Sequence, residues 1–92
     1  MIFDWDKNKA IANLIKHGIS FEEAKTVFFD DYARVLDDDL HSIIEKRELI
    51  FGYSNKNRLL IISFVERNNN IRIINARKVT KKEREIYEEY YK

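Results

Sequence analysis

Apolar residues at helical spacing predict two helices near the start of the chain. In DKNKAIANLIKHG, Asp6 is placed to cap the first turn and Gly18 to follow the last, so a helix is predicted from about residue 7 to 17. In ISFEEAKTVFFDD, Ser20 and the glutamate three residues later match a capping box ahead of an apolar stripe. A second helix, ending near residue 29, is therefore predicted.

Alternating apolar positions predict a sheet in the rest of the chain. The segments SNKN and NNN separate three of the runs, and asparagine tolerates the positive φ of tight turns. The segment DDDLHS is predicted to be an acidic loop. Strands are expected over residues 33–36, 47–53, 58–66 and 71–78.

The segment TKKEREIYEEYYK predicts a third helix. It opens with a second capping box, formed by Thr80 and Glu83, and its apolar and aromatic residues fall on one side. The chain shows no proline, internal repeat or linker. The whole pattern predicts one α+β domain over residues 1–92, with two N-terminal helices, a four-stranded antiparallel meander and a C-terminal helix.

The last predicted strand, IRIINARK, carries polar residues that require an explanation. A three-residue loop at 68–70 would place Glu66 opposite Arg72, and such a cross-strand ion pair would account for Arg72 structurally. Asn75 and Arg77 have no such partner in this register. We therefore expect these two side chains to be displayed on a face of the sheet.

The same register, with a three-residue loop at 55–57, divides the sheet into two faces. The apolar face, expected to pack on the helices, holds Ile50, Leu60, Ile62, Phe64, Ile74 and Ala76. The opposite face holds Leu49, Phe51, Ile61, Val65 and Ile73 together with Arg47, Ser63, Arg67, Asn75 and Arg77, with Asn75 across from Ser63 and Arg77 across from Ile61. An arginine on such a face requires water, a carboxylate or a bound anion, because an isolated buried charge is very costly.

The first predicted helix carries a polar stripe formed by Lys9, Asn13, Lys16 and His17. A solvated helix surface explains the stripe without any function. Alternatively, His17 beside an ammonium group could act as an acid or base on a phosphate substrate. The spacing alone leaves both readings open.

The composition limits the kinds of site that the chain can build. It has no cysteine and two isolated histidines, so disulfides and thiolate metal sites are excluded. His41 lies beside three consecutive aspartates, but a solvated loop explains that cluster better than a metal site. No apolar run is long enough to cross a bilayer and no signal peptide is evident, so a cytoplasmic protein without membrane contact is expected.

The net charge of +1 conceals an uneven distribution of charge. Residues 1–46 hold six Lys/Arg and ten Asp/Glu, whereas residues 47–92 hold eleven and six. Such segregation suits a basic surface that binds a polyanion and lies next to an acidic surface. Two solvated faces of opposite net charge, without any ligand, would give the same count.

Two long segments are distinctive when taken together: FDWDKNKAIANLIKHGISFEEA, from residue 3, and FVERNNNIRIINARKVTKKEREIYE, from residue 64. They resemble the BrnT family of bacterial toxins. The shared features include the F-x-W-D opening, the K-H-G triplet, the R-I-I-N-A-R string and the T-x-x-E-R helix start. Residues 32–46 show the weakest resemblance.

The resemblance implies a RelE-like fold and a metal-independent endoribonuclease that needs no cofactor. Such a toxin inhibits translation and is neutralised by a BrnA-like antitoxin. The antitoxin carries a ribbon-helix-helix region, and the complex contacts DNA only through this region. RNA cleavage of this kind requires a base, an acid and cations that hold the phosphate. The implied catalytic residues are Lys16, His17, Arg67 and Arg77, with Lys9, Arg47, Asn75 and Arg84 as substrate contacts.

A non-catalytic protein that binds and modulates a DNA-binding partner is the alternative. In that case the arginine-bearing face would be a protein interface, with Arg77 paired to acidic residues of the partner.

Overall fold

Three α-helices and a five-stranded mixed sheet form the fold. The computed structural model describes residues 1–90. The elements in chain order are β1 (Ile2–Trp5), α1 (Lys7–His17), α2 (Phe21–Thr26), a 3₁₀ turn (Val27–Phe29), β2 (Arg34–Asp37), a second 3₁₀ turn (Asp39–His41), β3 (Glu48–Tyr53), β4 (Leu59–Arg67), β5 (Asn70–Lys78) and α3 (Lys81–Tyr90). The sheet has the order β1-β5-β4-β3-β2. The predicted helices are present, but the second ends at Thr26 rather than near residue 29, because its last turn tightens into the 3₁₀ turn. The sequence segment assigned to the third helix extends to residues 91 and 92, which lie outside the described residues.

The prediction of four antiparallel strands is wrong in one respect, because β1 adds a fifth strand parallel to β5. Its inner residues anchor it to the helices: Phe3 meets Phe28 edge to face at 5.1 Å, and Trp5 meets Phe21 at 5.8 Å. The pairing joins opposite ends of the chain, so no local turn signal predicts it.

Local capping signals define the helix ends. The Asp6 carboxylate accepts the Lys9 N–H at 3.0 Å, and Gly18 ends α1 with a positive φ of 71°. The Ser20 hydroxyl accepts a backbone N–H of α2 at 3.0 Å. Each of these caps was predicted from the sequence.

The β4–β5 hairpin corrects the predicted register. Its turn has two residues rather than three, because Arg67 pairs with Asn70. A β-bulge follows, since the register shifts between Ser63 and Phe64 and leaves Ile74 as the extra residue on β5. The short turn and the extra residue compensate for each other. The predicted pairs beyond the bulge, Ser63 with Asn75 and Ile61 with Arg77, are therefore confirmed.

Before the bulge, the predicted pairing of Glu66 with Arg72 is wrong. Arg72 lies opposite Val65, and its guanidinium forms an ion pair with Asp4 of β1 at 3.5 Å. The prediction that Arg72 forms an ion pair across strands is therefore correct, but the predicted partner is not. The partner belongs to β1, the strand that the sequence pattern did not predict.

The hydrophobic core lies between one sheet face and the layer formed by α1 and α2. Its residues are Ile19, Phe21, Ala24, Val27, Ile50, Leu60, Ile62, Phe64, Ile71, Ile73 and Ala76. The bulge moves Ile73 into this core and Ile74 out of it, which reverses their predicted faces. Helix α3 packs on the opposite face, where the Tyr87 and Tyr53 rings lie 6.1 Å apart.

Candidate active site

A concave pocket of about 220 Å³ lies on the sheet face opposite α1 and α2. We call it the polar pocket; its lining residues are Asp38, His41, Arg47, Leu49, Ile61, Ser63, Asn75 and Arg77. Strands β3, β4 and β5 form its floor, and the segment 38–47 forms one wall. Since side chains alternate between the faces of a strand, Ser63, Asn75 and Arg77 are held on the side away from the core.

Arg77 is held rigidly at the edge of this pocket. Its Nη1 donates to Glu83 Oε1 at 2.8 Å and to the Lys78 carbonyl at 3.2 Å, and its Nη2 donates to Glu83 Oε2 at 3.0 Å. Glu83 is itself fixed by the reciprocal capping box with Thr80 that opens α3. These contacts leave the Nε–H and one Nη2 proton of Arg77 for a ligand.

The Arg77–Glu83 contact shifts the titration of both groups. Hydrogen bonding to Arg77 lowers the pKa of Glu83 from 4.5 to about 2, and the same contact raises the pKa of Arg77. Both groups are therefore charged near neutral pH. The predicted display of Arg77 is correct in position, but the arginine has a carboxylate partner within its own chain.

Two further predicted residues line the polar pocket. Asn75 is exposed on β5, across from the buried Ser63. Arg47 lies just before β3, and hydrogen bonds fix its backbone: its N–H donates to the Ser42 hydroxyl at 2.9 Å, and its carbonyl accepts the Asp38 N–H at 2.9 Å. The pocket thus combines two guanidinium groups and an amide.

Arg67 lies on the same face as the polar pocket but further along β4. Its guanidinium forms a two-point ion pair with Glu45, in which Nη2 donates to Oε1 at 2.6 Å. Hydrogen bonding to Arg67 lowers the pKa of Glu45, and the charges of Arg47 and Arg72 contribute to the lowering. A carboxylate of the segment 38–47 therefore lies among three arginines of this face.

The structure places the other predicted site residues outside the polar pocket. Lys9 and Lys16 are exposed and His17 is half-buried on α1, which covers the core face of the sheet. Asn13 of the same stripe is buried and bonded to the Ala76 backbone, so it is a structural residue. Arg84 lies on α3, where its Nη1 donates to the Tyr53 hydroxyl at 3.4 Å.

His41 is the polar-pocket residue that sequence reasoning missed as a functional candidate. Its place beside three aspartates suggests at most a metal ligand, and residues 1–90 contain no group of three His, Cys, Asp or Glu side chains placed to hold a metal ion. The sequence does place His41 three residues after Asp38, and the structure joins the two side chains by a hydrogen bond.

Comparison with known families assigns the chain. The sequence model described as "Ribonuclease toxin, BrnT, of type II toxin-antitoxin system" matches residues 5–83. The chain belongs to the BrnT family. The matched region contains every lining residue of the polar pocket as well as α1, and it ends at Glu83.

A solved structure supports the BrnT assignment at the level of the fold. The crystal structure of the Brucella abortus ribonuclease toxin BrnT is similar to this chain with a TM-score of 0.67 and 19% identity. The similarity covers 88% of this chain and all of the Brucella chain. No curated protein matches the sequence. None of the helices in residues 1–90 of this BrnT-family chain is long and apolar enough to span a bilayer.

A second concavity, of about 320 Å³, lies between β2 and α3 of the BrnT-family fold. Its lining residues are Arg34, Leu36, Phe51, Glu83, Ile86 and Tyr87. Most of the lining is apolar, and Leu36 and Ile86 are 44% and 61% exposed. We call it the apolar groove.

Proposed function

We propose that this BrnT-family chain is an endoribonuclease that cleaves RNA without a metal ion or other cofactor, and that the polar pocket is its active site. The observation that carries the proposal is the convergence of Arg47, Asn75 and Arg77 on one concave surface. The assignment to a family of ribonuclease toxins supports the activity.

The chemistry of RNA cleavage accounts for this set of side chains. When a 2′-hydroxyl attacks the adjacent phosphorus, negative charge accumulates on the phosphoryl oxygens. Fixed cations stabilise that charge, and the ion pair with Glu83 fixes the Arg77 guanidinium in advance. Arg47 adds a second cation and Asn75 adds an amide donor. Arg67 would join them once a phosphate replaces the Glu45 carboxylate.

Residues of α1 and α3 form an alternative set of candidate active-site residues. The family resemblance predicts Lys16 and His17 as catalytic residues, with Lys9 and Arg84 as substrate contacts. Their positions outside the polar pocket favour peripheral contacts with RNA. The two sets can be separated by substitution.

The biological setting follows from the same proposal. The chain inhibits translation in the cytoplasm and is neutralised by a BrnA-like antitoxin, whose ribbon-helix-helix region gives the complex its contact with DNA. The family description of a toxin–antitoxin system supports the existence of an antitoxin.

A second function is favoured by the apolar groove. The exposed apolar surface of Leu36 and Ile86 suits contact with another protein. A non-catalytic module that binds and modulates a DNA-binding partner would use this groove, and RNA cleavage would then be absent.

The test is expression of the chain in cells without an antitoxin, followed by measurement of growth and RNA integrity. Arg47→Ala and Asn75→Ala are expected to slow RNA cleavage by about 10- to 1000-fold, because each removes a group that stabilises the transition state. Lys56→Ala is the control for Arg47→Ala, since it removes the same charge from an exposed turn at the other end of β3. The control should arrest growth as the unmodified chain does.

Two other outcomes would contradict the proposal. If the unmodified chain leaves growth and RNA intact, the binding-module function replaces the ribonuclease. If Lys16→Ala and His17→Ala abolish cleavage while the polar-pocket variants retain it, the active site lies on α1. Circular dichroism of each purified variant shows that loss of activity is not loss of fold.

A further inference from the structure

His41 is placed at the polar pocket by an ordered segment. The Ser42 hydroxyl donates to the Asp38 carbonyl at 2.6 Å and accepts the Arg47 N–H at 2.9 Å, which closes the segment on itself. The backbone N–H of His41 also donates to the Asp38 backbone carbonyl at 3.2 Å. The histidine therefore sits on a short 3₁₀ turn whose ends are tied together beside Arg47.

The Asp38 carboxylate orients the His41 ring. Its oxygens lie 2.9 and 3.0 Å from His41 Nδ1. An ionised carboxylate can only accept hydrogen bonds, so Nδ1 is the donor in this contact, and in the neutral form of the ring Nε2 then carries the free lone pair. The Asp38 side chain is 13% exposed, whereas that of His41 is 61% exposed. The fixed partner is thus shielded and the imidazole is open to a substrate.

We propose that His41 is the proton acceptor for RNA cleavage in this chain and that Asp38 is the residue that positions it, an inference that rests on the proposed ribonuclease function. The carboxylate holds the ring in the tautomer that can accept a proton at Nε2. It also stabilises the imidazolium that results. The phosphate would lie next to it, on Arg47 and Arg77 across the same pocket.

The step balances without a co-reactant. Nε2 of His41 takes the proton of the 2′-hydroxyl as the 2′-oxygen bonds to phosphorus and the bond from phosphorus to the 5′-oxygen breaks. The products are a 2′,3′-cyclic phosphate and a 5′-oxygen that takes a proton from solvent. The imidazolium then returns its proton to solvent, which regenerates the neutral ring.

The fold favours His41 over His17 for this role. His17 ends α1 in the layer that covers the core face, while the arginines of the polar pocket lie on the opposite face of the sheet. A phosphate bound at Arg77 is therefore on the same side of the sheet as His41. His17 is separated from that phosphate by the sheet itself.

The test uses the full chain in a ribosome-containing translation extract with an end-labelled messenger RNA, so that free and ribosome-bound RNA are both available. His41→Ala is expected to slow cleavage by about 100-fold or more, with RNA binding retained. Added imidazole should restore part of the rate, because the exposed site admits a small base. Leu40→Ala is the control, since Leu40 is the neighbouring residue of the same turn and is 85% exposed.

Asp38→Asn tests the positioning role separately. An asparagine amide can donate to Nδ1 and so favour the tautomer with a proton on Nε2, which cannot accept one. This variant is expected to lose cleavage while it binds RNA normally. A merely structural role for Asp38 would instead weaken folding and RNA binding together.

The outcomes distinguish this inference from the proposed function. If the unmodified chain does not cleave RNA, the ribonuclease proposal fails and the inference fails with it. If the unmodified chain cleaves and His41→Ala cleaves equally well, the inference alone is overturned. Loss of activity in His41→Ala that imidazole does not restore, together with full activity in Asp38→Asn, would also overturn it.

Discussion

Asn13→Ala is expected to destabilise the fold strongly, because the Asn13 carboxamide replaces a missing strand. Strand β1 pairs with β5 only from Asn70 to Ile73, so the edge of β5 is unpaired at Ala76. Asn13 Nδ2 donates to the Ala76 carbonyl at 2.8 Å, and Oδ1 accepts the Ala76 N–H at 3.0 Å. Nδ2 also donates to the Ile19 carbonyl at 2.9 Å.

The magnitude follows from these three hydrogen bonds. Asn13 is 6% exposed, so its substitution leaves one buried N–H and two buried carbonyls without their partner. At about 1 kcal/mol for each bond, the expected loss is about 3 kcal/mol of the free energy of unfolding. For a domain of this size that corresponds to a fall in Tm of roughly 12–24 °C.

Urea unfolding followed by circular dichroism measures this loss. Lys16→Ala on the exposed side of the same helix is the control, and its effect on stability should stay within about 0.5 kcal/mol. Asn13→Asp should be no more stable than Asn13→Ala, because a carboxylate repels both carbonyl oxygens. A loss below about 1 kcal/mol for Asn13→Ala would refute the reasoning.

Two further predictions concern the carboxylates that pair with arginines on the sheet face away from α1 and α2. The contact with Arg77 lowers the pKa of Glu83 from 4.5 to about 2, so it stabilises the folded state above pH 4.5 and loses this contribution as the pH falls towards 2. The unmodified chain should therefore be more stable than Glu83→Gln by about 1–2 kcal/mol at neutral pH, after allowance for solvent screening. The urea unfolding curves of the two proteins should converge as the pH falls below about 2, and a stability difference that does not change with pH would contradict this. Glu45→Gln should tighten RNA binding by roughly 5-fold at low salt because it releases Arg67. Glu66→Gln removes the same charge from an exposed site that has no ion pair within residues 1–90, so it should change binding less. Equal effects of the two substitutions in a binding titration would show that only net charge matters.

The helices and their caps were predictable because their signals are local. The Asp6, Ser20 and Thr80 caps each bond a backbone N–H three residues further along the chain, so the sequence contains both partners within one turn. The turn at SNKN and the positions of Asn75 and Arg77 on one face were predictable for the same reason.

The polar pocket could be predicted only in part. Counting the register outward from the turns placed Arg47, Asn75 and Arg77 on one face of the sheet, and on β5 this is correct because the bulge compensates for the wrong turn length. Helical spacing placed Asn13 in one stripe with Lys16 and His17, but the structure buries Asn13 and leaves Lys16 exposed. Spacing within a helix also does not say which face of a sheet that helix will cover. His41 was passed over because an acidic loop gives no periodic signal.

By itself, the sequence determined the helices with their caps, the order of the antiparallel strand pairings from β2 to β5, and the BrnT resemblance. Only the tertiary structure decided the parallel strand β1, the bulge at Ile74, the partners of Arg72 and Arg77, and the meeting of His41 with the arginines. The physical reason is the range of the interactions. Caps, turns and alternation depend on residues within a few positions of one another, whereas the pairing of β1, the partner of Arg72 and the position of His41 are fixed by the packing of segments that are distant in the chain or that lack a regular repeat. The Arg77–Glu83 contact spans only six residues, but it depends on the angle at which α3 leaves β5.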